Sequence, residues 1–376
     1  MRDGSASRGS LRELIAVFGT LGLIGFGGPA AHVALMRREL VERRRWLSDA
    51  DLLDLVGITS LIPGPNSTEL AMLVGRRRSG GAGLVVAGLA FIVPAVAIVL
   101  ALAWAYVTFG ATPTGEAILY GIGPVIVAIV GAAVIAFART ALGRPVTVAL
   151  AATAAVLWLI GVNELVVLLG AAALMAIARV GSAPAVLLLP ALGVAGASAV
   201  NLVTLGGVFL KAGALLYGSG YVLIAFLRGD LVDRLGWLTD AQLLDAVAIG
   251  QVTPGPLFTT ATFIGFVLAG VPGAVVATAA IFLPAFVVVA LIAPWIERVR
   301  DRPLTAALLD GVNAAAIGLM AAVTLQLGLT AVRDPLTAGI GLAAGVALLS
   351  GRVPSVLLVA AGAVVGLAAG AAGIGP

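Results

Sequence analysis

Apolar residues run almost without interruption through this chain, and polar ones gather in short, regularly spaced groups. The apolar runs predict helices at about 11–35, 81–109, 116–138, 145–161 and 164–180. A second set is predicted at about 203–226, 270–295, 304–328, 336–350 and 353–372. A helix needs roughly 20 residues to cross the hydrocarbon layer, so the ends of the shorter ones are soft. Between the first and second runs of each set lies a different pattern. An amphipathic charged stretch (36–48, 227–239) leads into an apolar segment broken by Pro-Gly-Pro (49–76, 240–267). Residues 181–201 form a Gly/Ala/Pro-rich join that reads equally as a linker or as an eleventh apolar element.

The two sets are copies. Residues 37–68 laid over 228–259, an offset of 191, agree at 17 of 32 positions without a gap. Shared residues include Trp46/Trp237, Asp49/Asp240, Asp54/Asp245 and Pro63-Gly64-Pro65/Pro254-Gly255-Pro256. Val17, Phe18, Gly22 and Gly27 match Val208, Phe209, Gly213 and Gly218, so the amino-terminal apolar run belongs to the fold despite its resemblance to a leader peptide. The expected fold is an all-α polytopic membrane protein of two repeats, 11–180 and 202–372, joined by 181–201. Each repeat holds about five crossings plus one broken, re-entrant hairpin.

Charge sharpens the topology. In the first half arginines crowd 37–45 and 76–78, with Arg139 and Arg144 later, while the loop 109–117 has none. In the second half Arg228 and Arg234 are balanced by Asp230 and Asp233, and Arg298, Arg300 and Arg302 follow a different helix end. Under the positive-inside rule the halves face opposite ways, as inverted repeats do, and the counts favour both termini outside. Composition excludes other classes. The chain is 61% hydrophobic and only 11% charged, against about 25% charged in soluble domains. With no cysteine and a single histidine, neither a metal site nor a cofactor is expected. The net charge of +4 reads as topology control, not as a nucleic-acid surface.

The breaks carry the candidate chemistry. Pro-Gly-Pro ends one helix, and the next starts with unsatisfied N–H groups that can hold an anion without a cationic side chain. Asn66, Ser67 and Thr68 follow the first break; Gln251, Thr253, Thr259 and Thr260 surround the second. Together with Pro63, Gly64, Pro65, Pro254, Gly255 and Pro256 they are expected to form one midplane site for a compact oxyanion. The alternative is that both breaks only bend helices for packing. The first helix of each half has its own glycine break, Gly27-Gly28 and Gly218-Ser219-Gly220, with Ser219 and Tyr221 as further donors or as parts of a tight crossing. Lys211, the sole lysine, lies within an apolar run, and is expected to neutralise the anion or relay a proton, unless it snorkels to the interface. Glu69 would repel an anion unless it carries a proton, so it is the candidate for proton coupling, with a helix-cap role as the alternative. Asp54 and Asp245 are expected to cap or to pair with arginine, and Trp46 and Trp237 to anchor at the interface.

Phe26-Gly27-Gly28-Pro29-Ala30-Ala31-His32, Glu42-Arg43-Arg44-Arg45-Trp46-Leu47 and Ile62-Pro63-Gly64-Pro65-Asn66-Ser67-Thr68-Glu69 resemble the first half of the chromate ion transporters. Gly218-Ser219-Gly220-Tyr221 and Gln251-Val252-Thr253-Pro254-Gly255-Pro256 through Thr262 resemble their second half. The resemblance covers nearly the whole chain and implies a long-chain member of that family. Such a protein exports chromate from the bacterial cell through the inner membrane and confers resistance, with sulfate as a structural mimic. Alternating access driven by protons is expected, because Gly-x-x-x-x-Gly-Lys-Ser/Thr does not occur in the chain. Partners would be chromate or a related tetrahedral oxyanion, protons and the bilayer; the oligomeric state stays open, a homodimer included. The rival readings are a membrane enzyme or flippase acting on a lipid phosphate, and a non-transporting scaffold.

Overall fold

The computed structural model describes residues 10–59, 62–180, 199–216, 220–292 and 303–374, and among these all regular structure is helical. Helix α1 spans Leu11–Ile24 and α2 spans Gly28–Met36. A π-helical turn, Arg37–Arg43, leads to α3 (Asp49–Thr59). Helix α4 (Asn66–Phe109) is kinked at Ser79–Gly80 into two limbs. Three helices complete the first half: α5 (Pro113–Ala141), α6 (Pro145–Leu159) and α7 (Glu164–Val180).

The second half follows the same order. It comprises α8 (Leu202–Leu215), α9 (Leu223–Leu227), a π-helical turn at Arg228–Arg234, α10 (Asp240–Val252) and α11 (Thr260–Ile292). The kink in α11 falls at Ala269–Gly270. Helices α12 (Pro303–Ala331), α13 (Pro335–Leu349) and α14 (Ser355–Ala371) end the fold. Residues 66–109, 113–141, 257–291 and 303–331 form helices long and apolar enough to cross a membrane, and several apolar helices are shorter. The broad expectation of an all-helical membrane protein therefore stands.

Local chemistry explains the boundaries. Helices α5, α6, α12 and α13 each begin on a proline, whose missing N–H costs nothing at that position. Thr112 caps α5 by accepting from Gly115 N–H, and Asn201 caps α8 by accepting from Thr204 N–H. Thr239 and Gln242 form a reciprocal box at the start of α10, as Asp334 and Thr337 do for α13. The kinks need Gly80 and Gly270, whose φ/ψ of 64°/−149° and 61°/−152° belong to a region only glycine occupies freely.

The duplicated stretches share one local structure. Arg37 Nε donates to Asp49 and Arg228 Nε to Asp240. Trp46 N–H bonds to Leu40 O, and Trp237 N–H to Leu231 O. The expectation that Trp46 is an interfacial anchor gains a detail: the Arg78 guanidinium lies 4.4 Å from its ring centroid. Asp245, expected to cap or to pair with arginine, accepts from Tyr106 O–H at 2.8 Å.

The halves exchange helices. Helix α5 packs on α13 and α14 of the second half, while α12 packs on α6 and α7 of the first. Gly121 lies against the backbone of Gly362 and Gly366, and Gly311 against that of Ala171 and Ala172. A Cβ at either glycine would collide with main-chain atoms, so only glycine permits these crossings. Close backbone approach of this kind holds helices together where lipid removes the hydrophobic drive. Outside, Val93, Trp104, Leu283 and Leu342 are exposed, in keeping with a lipid-facing belt.

Candidate functional site

Two loops, one from each half, meet at the centre. Helix α3 ends at Thr59, the chain turns through Ile62-Pro63-Gly64-Pro65, and α4 starts at Asn66. Helix α10 ends at Val252, turns through Thr253-Pro254-Gly255-Pro256, and restarts as a 3-10 turn, Leu257–Thr259, leading into α11. The two Pro-Gly-Pro triplets are buried. Each loop is bound to the other half by the same bond. Gly64 N–H donates to Leu216 O and Gly255 N–H to Gly25 O, both at 2.8 Å. Gly25 and Leu216 are themselves 191 positions apart, so the contact is reciprocal. Gly64 also lies over Ala285 Cβ and Gly255 over Ala95 Cβ, a pair 190 apart. Positive φ at both glycines, 144° and 99°, makes the turns possible.

A cavity of ≈ 40 Å³ opens between these loops. That is room for roughly three water-sized bodies, hence for a compact solute. Its lining includes Gly64, Pro65, Asn66 and Ser67 from one break and Gly250, Gln251, Thr253, Gly255, Pro256, Leu257 and Phe258 from the other. Gly27, Gly28, His32, Gly220 and Tyr221 close it from the first helices of the two halves. Thr68 and Glu69 N–H groups bond back to Pro65 O, and Thr259 N–H bonds to Pro256 O, which leaves the earlier N–H groups of each restart on the cavity side. Gln251 accepts from Tyr221 O–H at 3.3 Å, while its buried Nε2 has no partner. No lysine, arginine, aspartate or glutamate lines the cavity among the described residues. Its polarity comes from N–H dipoles, the Asn66 and Gln251 amides, the His32 ring and hydroxyls, the equipment for holding a small anion.

Of the residues expected to bind substrate, Asn66, Ser67, Gln251, Thr253 and Tyr221 line this cavity. Thr68, Thr259 and Thr260 are buried one layer behind it. Thr253 and Thr259 give their hydroxyl hydrogens to carbonyls of Ile249 and Pro256, which spends their donors. Thr68 and Thr260 hydroxyls have no partner, and Thr260 Oγ1 lies against Gly250. Of the helix-break residues, Pro63 and Pro254 are buried within the loops, and Gly27, Gly28 and Gly220 reach the cavity. Ser219 and Gly218 lie outside the described residues.

Lys211 is placed elsewhere, which corrects the expectation of an anion-neutralising lysine. Its Nζ sits 2.8 Å from Glu164 Oε1 and pairs also with Asp230, whose other oxygen accepts from Arg234 at 2.8 Å. The ammonium is committed to two buried carboxylates, one of them from the first half. Glu69 is fully buried just behind Gly64, and neither carboxyl oxygen has a hydrogen-bond partner.

Sequence reasoning passed over His32. Its ring is 2% exposed, edge-on to Phe91 at 5.6 Å, with Nδ1 2.8 Å from Ser67 Oγ and Nε2 2.8 Å from Gly25 O. The signal was present: the only histidine of the chain comes three residues after the Gly27-Gly28-Pro29 break. Outside the cavity, the first-half arginines engage acids. Ser48 hydroxyl and amide, then Arg77, hold the Asp51 carboxyl down at about 2, and Arg44 followed by Arg43 lowers Glu39.

The model of the family described as chromate transporter matches residues 12–177 and 203–367. The chain belongs to the chromate transporter family. A chromate transport protein of Cupriavidus metallidurans is 34% identical over 375 residues, covering 96% of this chain and 93% of that one. One from Pseudomonas aeruginosa is 37% identical, covering 90% and 87%. A probable chromate transport protein of Synechococcus elongatus is 33% identical, covering 95% of each. No solved structure matches the chain. These chromate transporter relatives are named for transport and not for catalysis, which sets the lipid-phosphate enzyme aside.

Proposed function

We propose that this protein exports chromate across the bacterial inner membrane by alternating access, coupled to protons, and thereby confers chromate resistance. The observation that carries the reading is the cavity shared by two Pro-Gly-Pro loops, each bound to the opposite half through Gly64 and Gly255. A compact tetrahedral oxyanion is held there by the N–H groups at the starts of α4 and the turn Leu257–Thr259, by Gln251 Nε2, and by Asn66 and Ser67. Sulfate, of the same shape, is the expected mimic. The repeats 11–180 and 202–372 are inverted, and α3 and α10 with the first limbs of α4 and α11 form re-entrant hairpins entering from opposite faces. Rocking one repeat against the other exposes the cavity to each side in turn. Glu69, unpartnered behind Gly64, carries the coupling proton. The cavity is small, and its one serine–histidine pair, Ser67 and His32, has a backbone carbonyl and not a carboxylate behind the ring, which speaks against lipid-phosphate chemistry.

The test is chromate uptake into everted vesicles, with and without a proton gradient. Gln251→Leu and Ser67→Ala each remove a hydrogen bond to a charged ligand, worth ~1.5–3 kcal/mol, and should weaken uptake affinity by about tenfold or more. Glu69→Gln should bind chromate but lose the response to the gradient. Uptake by Gln251→Leu and Ser67→Ala equal to the parent would remove the cavity from the transport path.

A further inference from the structure

The hydrogen-bond chain around His32 fixes where its proton sits. Gly25 O lies 2.8 Å from Nε2 and also accepts from Gly255 N–H. A carbonyl oxygen only accepts, so Nε2 carries a hydrogen. In the neutral ring Nδ1 is then a bare lone pair, and Ser67, 2.8 Å away, must donate its single hydroxyl hydrogen to it. Ser67 in that state shows the cavity only oxygen lone pairs, which repel an anion. A second proton on the ring reverses the bond: Nδ1–H donates to Ser67 Oγ, and the hydroxyl hydrogen is released to turn into the cavity.

Resting on the reading of this cavity as an anion site, we propose that His32 is a proton-operated donor switch, so that the oxyanion and a proton bind together. Two observations support it beyond the bond lengths. Gln251 Nε2, buried without a partner, already supplies a donor from the other loop, so a freed Ser67 hydroxyl adds a second donor to the same volume. The device also exists in one half only: the positions 191 residues after His32 and Ser67 are Leu223 and Phe258, both buried and apolar. A duplicated scaffold carrying a polar pair on one side and a hydrophobic pair on the other has one proton-sensitive wall.

The groups facing the ring are few. Helix α1 contributes Gly25 O, and α4 contributes Ser67, the Phe91 edge and, behind Gly64, the Glu69 carboxyl. The turn Gly220–Val222 contributes Tyr221, held by Gln251 of α10. No aspartate or glutamate lines the cavity among the described residues, so the bound anion itself is the counter-charge for an imidazolium. One proton accompanying a doubly charged oxyanion leaves a net negative charge, which an inside-negative potential still drives outward at ~2.3 kcal/mol per 100 mV. Co-binding is therefore compatible with export.

Because the chain has one histidine, ring-labelled protein with a histidine-free tag, in nanodiscs, gives a single pair of ring-nitrogen signals. Near about pH 7.5, in the range where histidine titrates, the empty protein should show the Nε2–H tautomer, and saturating chromate should place hydrogens on both nitrogens. Chromate binding measured at about pH 8 and about pH 6 gives the second readout, and the ligand's own protonation cancels between variants. The wild-type gain in affinity on acidification should exceed that of His32→Gln by about tenfold. An unchanged histidine signal in protein that binds chromate, or a full acid gain in His32→Gln, overturns the switch and leaves the cavity reading intact. Absence of chromate binding by the wild type at either pH overturns both.

Discussion

Lys211→Met separates an architectural role for the lone lysine from a transport role. The Nζ of Lys211 lies between Glu164, 3% exposed, and Asp230, 4% exposed. Removing one member of a buried ion pair costs ~3–5 kcal/mol, because the other charge stays in a low-dielectric site without a partner. Two features reduce that figure here. Lys211 keeps 24% of its side chain exposed, and Asp230 retains Arg234. The residual cost falls on Glu164 and comes to ~2–4 kcal/mol. The double variant Lys211→Met/Glu164→Gln removes the stranded charge and should recover most of the loss. The assay is the temperature at which half the detergent-solubilised protein survives on size exclusion, with chromate binding measured on the surviving fraction. The expected order is parent, double variant, single variant, with binding affinity little changed in all three. A single variant as stable as the parent but unable to bind chromate would refute the reasoning and return Lys211 to the anion path. A double variant no more stable than the single would show that Glu164 is not the stranded charge.

Gly255→Ala should destabilise by ~2–6 kcal/mol and abolish transport. The new Cβ would stand 2.6 Å from Ala95 Cβ at a φ of 99°. Gly143→Ala, with open space around it, should stay within about 0.5 kcal/mol by the same thermal assay. Tyr106→Phe takes the donor from Asp245 and should cost ~1–3 kcal/mol, with Tyr106→Phe/Asp245→Asn restoring part of it in a double-mutant cycle. Asp51 titrates at about 2 in the folded protein, below its ordinary 3.8. Its contribution is therefore full above about pH 4 and is lost as pH falls through about 2. The thermal gap between parent and Asp51→Asn should narrow over that window, and a gap independent of pH would reject the pairing with Ser48 and Arg77.

Much of this architecture was legible from apolar run lengths and from the copy at an offset of 191. The predicted helices at 145–161, 164–180, 304–328 and 336–350 differ from those observed by a few residues at most. Proline at the first helical position and the capping residues mark those ends in the sequence itself. The breaks at Gly27 and at the two Pro-Gly-Pro triplets were legible for the same reason, since each residue type restricts the backbone in a known way. The exchange of helices between halves was not. It depends on small residues, Gly121, Gly362, Gly311 and Ala171, that look alike wherever they fall in a chain rich in glycine and alanine. Lys211 was misplaced, and the bonding of the Thr253 hydroxyl was missed, for a different reason. A residue type announces what it can bond to, but its distance from Glu164, or from the Ile249 carbonyl, exists only after the chain has folded. His32 was passed over because a lone histidine was weighed as a metal ligand and not as a hydrogen-bond relay.

The crossing of Gly121 on Gly362 sets a schedule for biogenesis. The two glycines are 362 − 121 = 241 positions apart, and α14 is made after every other helix described. At ribosomal speeds of ~5–20 residues per second, α5 waits roughly 12 to 50 s for its final neighbour. Throughout that interval its glycine-bearing flank is open to lipid or to the insertion machinery. Nascent chains arrested before α13 should accordingly be the species that membrane quality-control proteases capture.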